Sequence, residues 1–251
     1  MTSAAVLVVA KAPVAGVAKT RLAATVGDWA AAELAAAALL DTIEVCARTF
    51  DTCLLAVTGD LASGARGEQL AGALEGWTVF SQRGDDFSER LQHAHADASQ
   101  RCSRPVLQVG MDTPQMTGGQ LTALDAMLCG GEYDAVLGPA DDGGWWALGV
   151  TDPALVEGLG AVPMSTAQTC VETSRLLSSN GATVGLGDTV RDVDEAEDAI
   201  AVSQASPALR FSIQWSALWP PLGGAGVARH RRSSRGSTAP GEAVGGHRRT
   251  R

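Results

Sequence analysis

Seven short apolar runs, spaced by loops and helical patterns, set the narrowest limit on how this chain can fold. They are Ala4–Ala10, Thr52–Thr58, Trp77–Ser81, Pro105–Gly110, Ala135–Gly138, Trp145–Val150 and Ala182–Leu186. Several are continuous rather than alternating, the pattern of strands covered on both faces. Helical patterns occupy Asp28 to about Arg48, Asp86–Gln100, Thr117–Leu128, Ser165–Ser178 and Glu195–Ser203. Asp28 suits an N-cap, and Ser165-Thr-Ala-Gln168 has capping-box spacing. The βαβα order predicts an α/β fold with a mainly parallel sheet between helices.

Charge divides the chain. Residues 1–207 carry 11 Lys+Arg against 27 Asp+Glu, a formal balance of −16. Residues 208–251 carry eight arginines and one acidic residue, Glu242, a balance of +7. An acidic domain of this kind does not fit nucleic-acid binding. We therefore expect a folded domain over 1–207 and a basic, low-complexity tail over 208–251. After Gly223 large apolar residues nearly vanish, so 223–251 is expected to be disordered. The five cysteines are widely spaced and odd in number, which fits reduced thiols in a cytoplasmic protein. No apolar run reaches the length of a membrane span. His93 and His95 stand two apart on a predicted helix and make a poor metal pair.

The first apolar run leads straight into Lys11-Ala-Pro13-Val-Ala-Gly16-Val-Ala-Lys19-Thr-Arg21. Lys11 and Lys19 are the chain's two lysines, in a sequence whose other 17 basic residues are arginines. Three cations so close together, in so acidic a domain, point to phosphate binding. Their place at the carboxyl end of a strand is where open α/β sheets bind ligands. A loop whose charges merely balance the acidic surface is the plainer alternative. Charge reversal in an exposed loop is expected to spare folding and damage binding. The Walker A spacing is absent.

Asp112 follows the fourth apolar run, and Pro114 ends the ladder there. Asp192 and Asp194 are i and i+2 in an extended segment, so both can face one cation. Asp112 in a turn and Asp194 as a helix cap are the structural alternatives. Asp142-Gly143-Gly144 combines a carboxylate with glycines that admit a ligand close to the backbone, beside Trp145 and Trp146. A turn beside core tryptophans would show the same residues.

These motifs together resemble the glycosyltransferase-A-like superfamily, the nucleotide-diphospho-sugar transferases, over about residues 4–203. More narrowly they resemble the radical-SAM/selenodomain-associated transferase group. They are also similar to phospholactate and phosphoenolpyruvate guanylyltransferases. The resemblance implies a Rossmann-like three-layer sandwich with a nucleotide at its N-terminal half. It implies Mg²⁺ or Mn²⁺ on Asp112, Asp192 and Asp194, with Lys19, Arg21 and Asp112 as catalytic groups. Lys11, Pro13, Gly16, Lys19, Arg21, Asp142, Gly143 and Gly144 would contact substrate. Met111, Met164, Glu195 and the Trp145-Trp146 pair depart from the pattern usual in the group.

Three functions follow as expectations. One is glycosyl transfer from a nucleotide-activated donor to a small acceptor. Another is nucleotidyl transfer, joining a nucleoside triphosphate to a small phosphate or carboxylate. The last is nucleotide sensing without turnover. The fold does not choose among them.

Overall fold

The computed structural model describes residues 4–219. One seven-stranded sheet runs through this region. Its strands are β1 (Ala5–Lys11), β2 (Cys53–Thr58), β3 (Thr78–Ser81), β4 (Val106–Gly110), β5 (Ala135–Pro139), β6 (Trp145–Val150) and β7 (Val184–Leu186). All seven fall on the apolar runs. Their spatial order is β3-β2-β1-β4-β6-β5-β7, with only β6 antiparallel to its neighbours. The sheet order turns back between β1 and β4, the place where α/β sheets open a crevice at their carboxyl ends.

The helices are α1 (Thr20–Val26), α2 (Asp28–Thr49), α3 (Gly67–Ala73), α4 (Phe87–Ser99), α5 (Gly118–Cys129), α6 (Thr169–Ser179), α7 (Ala196–Ala205) and α8 (Arg210–Leu218). α2 and α5 cover one face of the sheet, where Leu39, Ile43, Leu121 and Leu124 meet Val6, Val8 and Val109. α4 and α6 cover the other, where Leu91, Ala94 and Leu177 meet Leu7, Leu54 and Leu148. Burial on both faces explains why the strands read as continuous apolar runs.

Two local expectations are corrected. Asp28 is not the cap of α2: Gly27 is, at φ 88°, and Asp28 is the first helical residue. The Ser165–Gln168 capping box does not form. Instead Ser165 is left-handed at φ 58°, and the Thr169 hydroxyl donates to Pro163 O (2.9 Å) while accepting from Thr166 N (3.1 Å). That closed turn delays α6 to Thr169.

The fold also continues past the boundary expected at 207. Phe211 and Trp215 of α8 are buried with Leu34 and Ala38 of α2. The first turn of α8 is capped from α2, not locally. The buried Asp41 carboxylate accepts from Arg210 N (3.1 Å) and Phe211 N (2.9 Å), and from the Arg210 guanidinium at 3.2 Å. Desolvation raises the Asp41 pKa, and these bonds pull it down. The tail expected over 223–251 lies outside the described residues.

All five cysteines are free. No helix of the described residues is long and apolar enough to cross a membrane.

His95 on α4 is fully buried, and neither ring nitrogen has a hydrogen-bond partner among the described residues. Burial pushes its pKa down to about 4, against about 6.5 for a free histidine. Between those values the unfolded chain binds more protons, so stability falls as pH drops from about 6.5 toward 4. The full loss is about 3 kcal/mol. Denaturant titrations at pH 7 and pH 4.5 should show His95→Leu flattening that acid limb. An unchanged slope would remove His95 as its cause.

Candidate active site

The segment after β1 does not stay a loop. Lys19 takes a left-handed conformation (φ 52°), and α1 begins at the next residue. This turn points the Lys19 side chain inward, where it is only 10% exposed. Its ammonium lies 2.6 Å from Asp112 Oδ1 and donates to Val193 O. Val193 is buried against Leu22 and Leu34, and its N donates to Asp112 O at 2.8 Å. The Asp192–Asp194 segment is thereby tied both to the end of β4 and to the basic turn. Arg21 pairs with Asp194.

Lys11, Lys19, Arg21, Asp112, Asp192 and Asp194 all line one cavity of about 780 Å³. That is within the usual range for small-molecule sites. Asp142 and Gly144 line it as well. Lys11 is exposed and forms no ion pair among the described residues. Its main-chain N–H donates to Met111 Sδ (3.4 Å). Thus the two faces of the expected site share one space, although their charges already engage each other.

Among the described residues, no group of three or more His, Cys, Asp or Glu side chains is arranged to hold a metal. The reason is visible in the pairing: Lys19 takes Asp112, and Arg21 takes Asp194. Asp192 is left with other carboxylates. Burial, then Asp142 and more weakly Asp112, push its pKa up to about 6, against pulls from a main-chain hydrogen bond and Lys19. Asp194 is not the cap of α7; Glu195 is, in a reciprocal box with Asp198.

Pro13, Gly16 and Gly143 are not among the residues that line the cavity. Pro13 is buried and its carbonyl accepts from Ala65 N (2.9 Å). Gly16 provides a left-handed turn at φ 76° beside Asp28. Gly143, at φ 88°, would place a Cβ 2.3 Å from Ala167 O, and its own carbonyl accepts from Cys170 N (2.9 Å). It fastens the turn after β5 to the turn before α6. Gly143→Ala should cost about 3 kcal/mol through backbone strain and this overlap. Chemical denaturation measures it; a cost below about 1 kcal/mol would show that the two turns part easily.

Sequence reasoning missed the polar groups deeper in the cavity. Gln82, Gln108, Thr58 and Thr113 line it, together with Phe87 and Leu91 at the start of α4. One signal was legible: Gln108 is the lone polar side chain inside the run Val106–Val109.

The fold defines an α/β protein built like the nucleotide-diphospho-sugar transferases. A protein from Desulfovibrio desulfuricans G20, named provisionally as such a transferase, superposes with a TM-score of 0.73 at 24% identity, covering 87% of this chain and 97% of its own. A cytidylyltransferase from Leptospira borgpetersenii serovar Hardjo-bovis gives 0.52 at 14% identity, over 87% of this chain and 92% of its own. A 4-diphosphocytidyl-2C-methyl-D-erythritol synthase gives 0.51 at 13%, over 80% and 97%. The chain belongs to the DUF2064 family, described as an uncharacterized protein conserved in bacteria, whose profile matches residues 21–166. No curated protein matches the sequence.

Proposed function

We propose that the protein is a divalent-metal-dependent transferase that takes a nucleotide-activated donor and transfers its activated group to a small acceptor. The observation that carries this is the meeting of Lys11, Lys19 and Arg21 with Asp112, Asp192 and Asp194 in one cavity. A diphosphate with its cation is complementary to such a set. Phosphate oxygens suit the three basic groups. Mg²⁺ or Mn²⁺ suits Asp112 and Asp192, because Mg²⁺ usually takes one or two carboxylates and leaves its other positions to phosphate and water. The donor set fits for a further reason: Asp192, Asp142 and Asp112 crowd negative charge that a cation would relieve. The bound metal would act as a Lewis acid on the leaving phosphate.

The chain's own groups then exchange partners. Lys19 releases Asp112 and holds phosphate; Arg21 releases Asp194 and does the same. Both cations lie where negative charge grows as the leaving group departs, which is the condition for electrostatic catalysis. Glycosyl transfer is the first reading, in keeping with the motifs shared with the radical-SAM/selenodomain-associated group. Nucleotidyl transfer is the second. Lys11 favours it, as a third cation for the longer phosphate chain of a triphosphate. Incubation with nucleoside triphosphates and nucleotide-sugars plus Mg²⁺, followed by ³¹P NMR, separates the two. Pyrophosphate release marks nucleotidyl transfer and nucleoside diphosphate release marks glycosyl transfer. Binding of neither donor class, with or without metal, would sink both readings.

A further inference from the structure

The ammonium of Lys19 bridges the two parts of the chain that carry the candidate metal ligands. It bonds to Asp112 Oδ1 (2.6 Å), just past β4, and to the carbonyl of Val193, between Asp192 and Asp194. Val193 N and Asp112 O join the same two segments directly (2.8 Å). Lys19 is held there by its backbone: φ is 52°, and the side chain is 10% exposed. Arg21, one residue into α1, pairs with Asp194. Lys11 lines the same cavity and has no carboxylate partner among the described residues. The three cations of the cavity are therefore not equivalent. Two of them neutralise carboxylates that a divalent ion would use, and the third does not. A hard cation must displace an ammonium or a guanidinium before it can reach those oxygens. Phosphate meets no such barrier, because it offers Lys19 and Arg21 another anionic partner.

We infer that Lys19 and Arg21 are an internal latch on the carboxylates, which keeps divalent cations out until a phosphate draws the two side chains away. The inference deepens the proposed function and rests on it for the identity of the ligand. A free divalent cation leaves both pairs intact and finds no open carboxylate. A phosphate without a cation takes Lys19 and Arg21 but bares Asp112 and Asp194, whose charges then repel it. Only the two together leave every charge paired. Metal and phosphate therefore enter as companions, and the coupling is reciprocal: the factor by which phosphate tightens the metal is the factor by which the metal tightens phosphate.

The test titrates Mn²⁺ into the full chain without nucleotide and follows the electron paramagnetic resonance signal of the free ion. The wild type should bind Mn²⁺ weakly. Lys19→Met opens the latch and should tighten Mn²⁺ at least about tenfold, the scale of one charge-assisted contact. Nucleotide affinity should fall in the same variant, so the two ligands move in opposite directions. Because Lys19 is nearly buried, Arg21→Met is the second variant. Its side chain is 62% exposed, so the fold should hold while Mn²⁺ binds severalfold more tightly. Lys11→Ala controls for charge alone: it removes a cation from the same cavity but frees no carboxylate, and should change Mn²⁺ affinity by less than about twofold. Adding Asp112→Asn to Lys19→Met restores the net charge and should erase the gain. Mn²⁺ affinity equal to the wild type's in both Arg21→Met and a folded Lys19→Met would overturn the inference. So would an equal gain in Lys11→Ala, or a gain that survives Asp112→Asn. None of these outcomes touches the proposed function if the wild type binds a nucleotide with Mg²⁺. Failure of the wild type to bind any nucleotide or nucleotide-sugar strikes that function instead, and tighter Mn²⁺ binding in Lys19→Met would still uphold the latch.

Discussion

Lys19→Glu should damage both folding and binding. The wild-type ammonium is nearly buried, bonded to Asp112 at 2.6 Å and to Val193 O. A carboxylate in its place faces Asp112 and Asp192 and leaves the Val193 carbonyl without its donor. Breaking a buried pair costs about 3–5 kcal/mol. Asp112 is half exposed, so a value nearer about 2–3 kcal/mol is expected, or a melting temperature lower by roughly 5–10 °C for a fold of this size. Affinity for a nucleotide with Mg²⁺ should fall by about a hundredfold or more, since a charge-assisted contact becomes a repulsion. Lys11→Ala is the matched control: an exposed lysine without an ion pair among the described residues, it should leave melting unchanged and weaken binding alone. Wild-type nucleotide affinity in Lys19→Glu would end the phosphate-cradle reading.

Asp112→Asn should separate metal from fold. The Asp112 main-chain carbonyl still holds Val193 N (2.8 Å), and the asparagine oxygen can still accept from Lys19. The melting temperature should therefore move by only about 2 °C, a fraction of a kcal/mol. The lost charge removes a hard ligand. In the wild type, adding EDTA should weaken nucleotide binding strongly. In the variant, affinity with Mg²⁺ should already lie near that EDTA level, about a hundredfold down. If Asp112→Asn kept the full response to Mg²⁺, the cation would have to be sought elsewhere.

The sheet was legible because burial on both faces writes strands as unbroken apolar runs. All seven appear within two residues of their apolar runs. Three helices were not legible. α1 hides within a loop-like composition rich in small residues, and α3 contains two glycines. α8 takes its cap from Asp41, 169 residues earlier in the chain, and no local pattern records such a partner. The candidate site was legible as a cluster of charges, since both loop lysines, Asp112, Asp192 and Asp194 line one cavity. Its pairing was not. Nothing in the spacing says that Lys19 turns inward through a left-handed residue, or that Val193 anchors the late aspartates to β4. Pro13, Gly16 and Gly143 read as ligand contacts in the sequence and shape turns in the structure, since residues that shape turns and residues that admit ligands are the same types.

The contact between Gly143 and Ala167 also bears on how this protein can diversify. One turn sets Asp142 in the cavity with Lys19 and Arg21, and the other carries Met164 and Ser165 into the same cavity. With the backbone of one turn filling the space a side chain would need on the other, neither can shift alone. Substitutions that reshape this wall must therefore arrive as compensated pairs or stay confined to cavity-lining side chains such as Met164. Changes of substrate among descendants of this fold would then be recorded as coupled changes near residues 143 and 167.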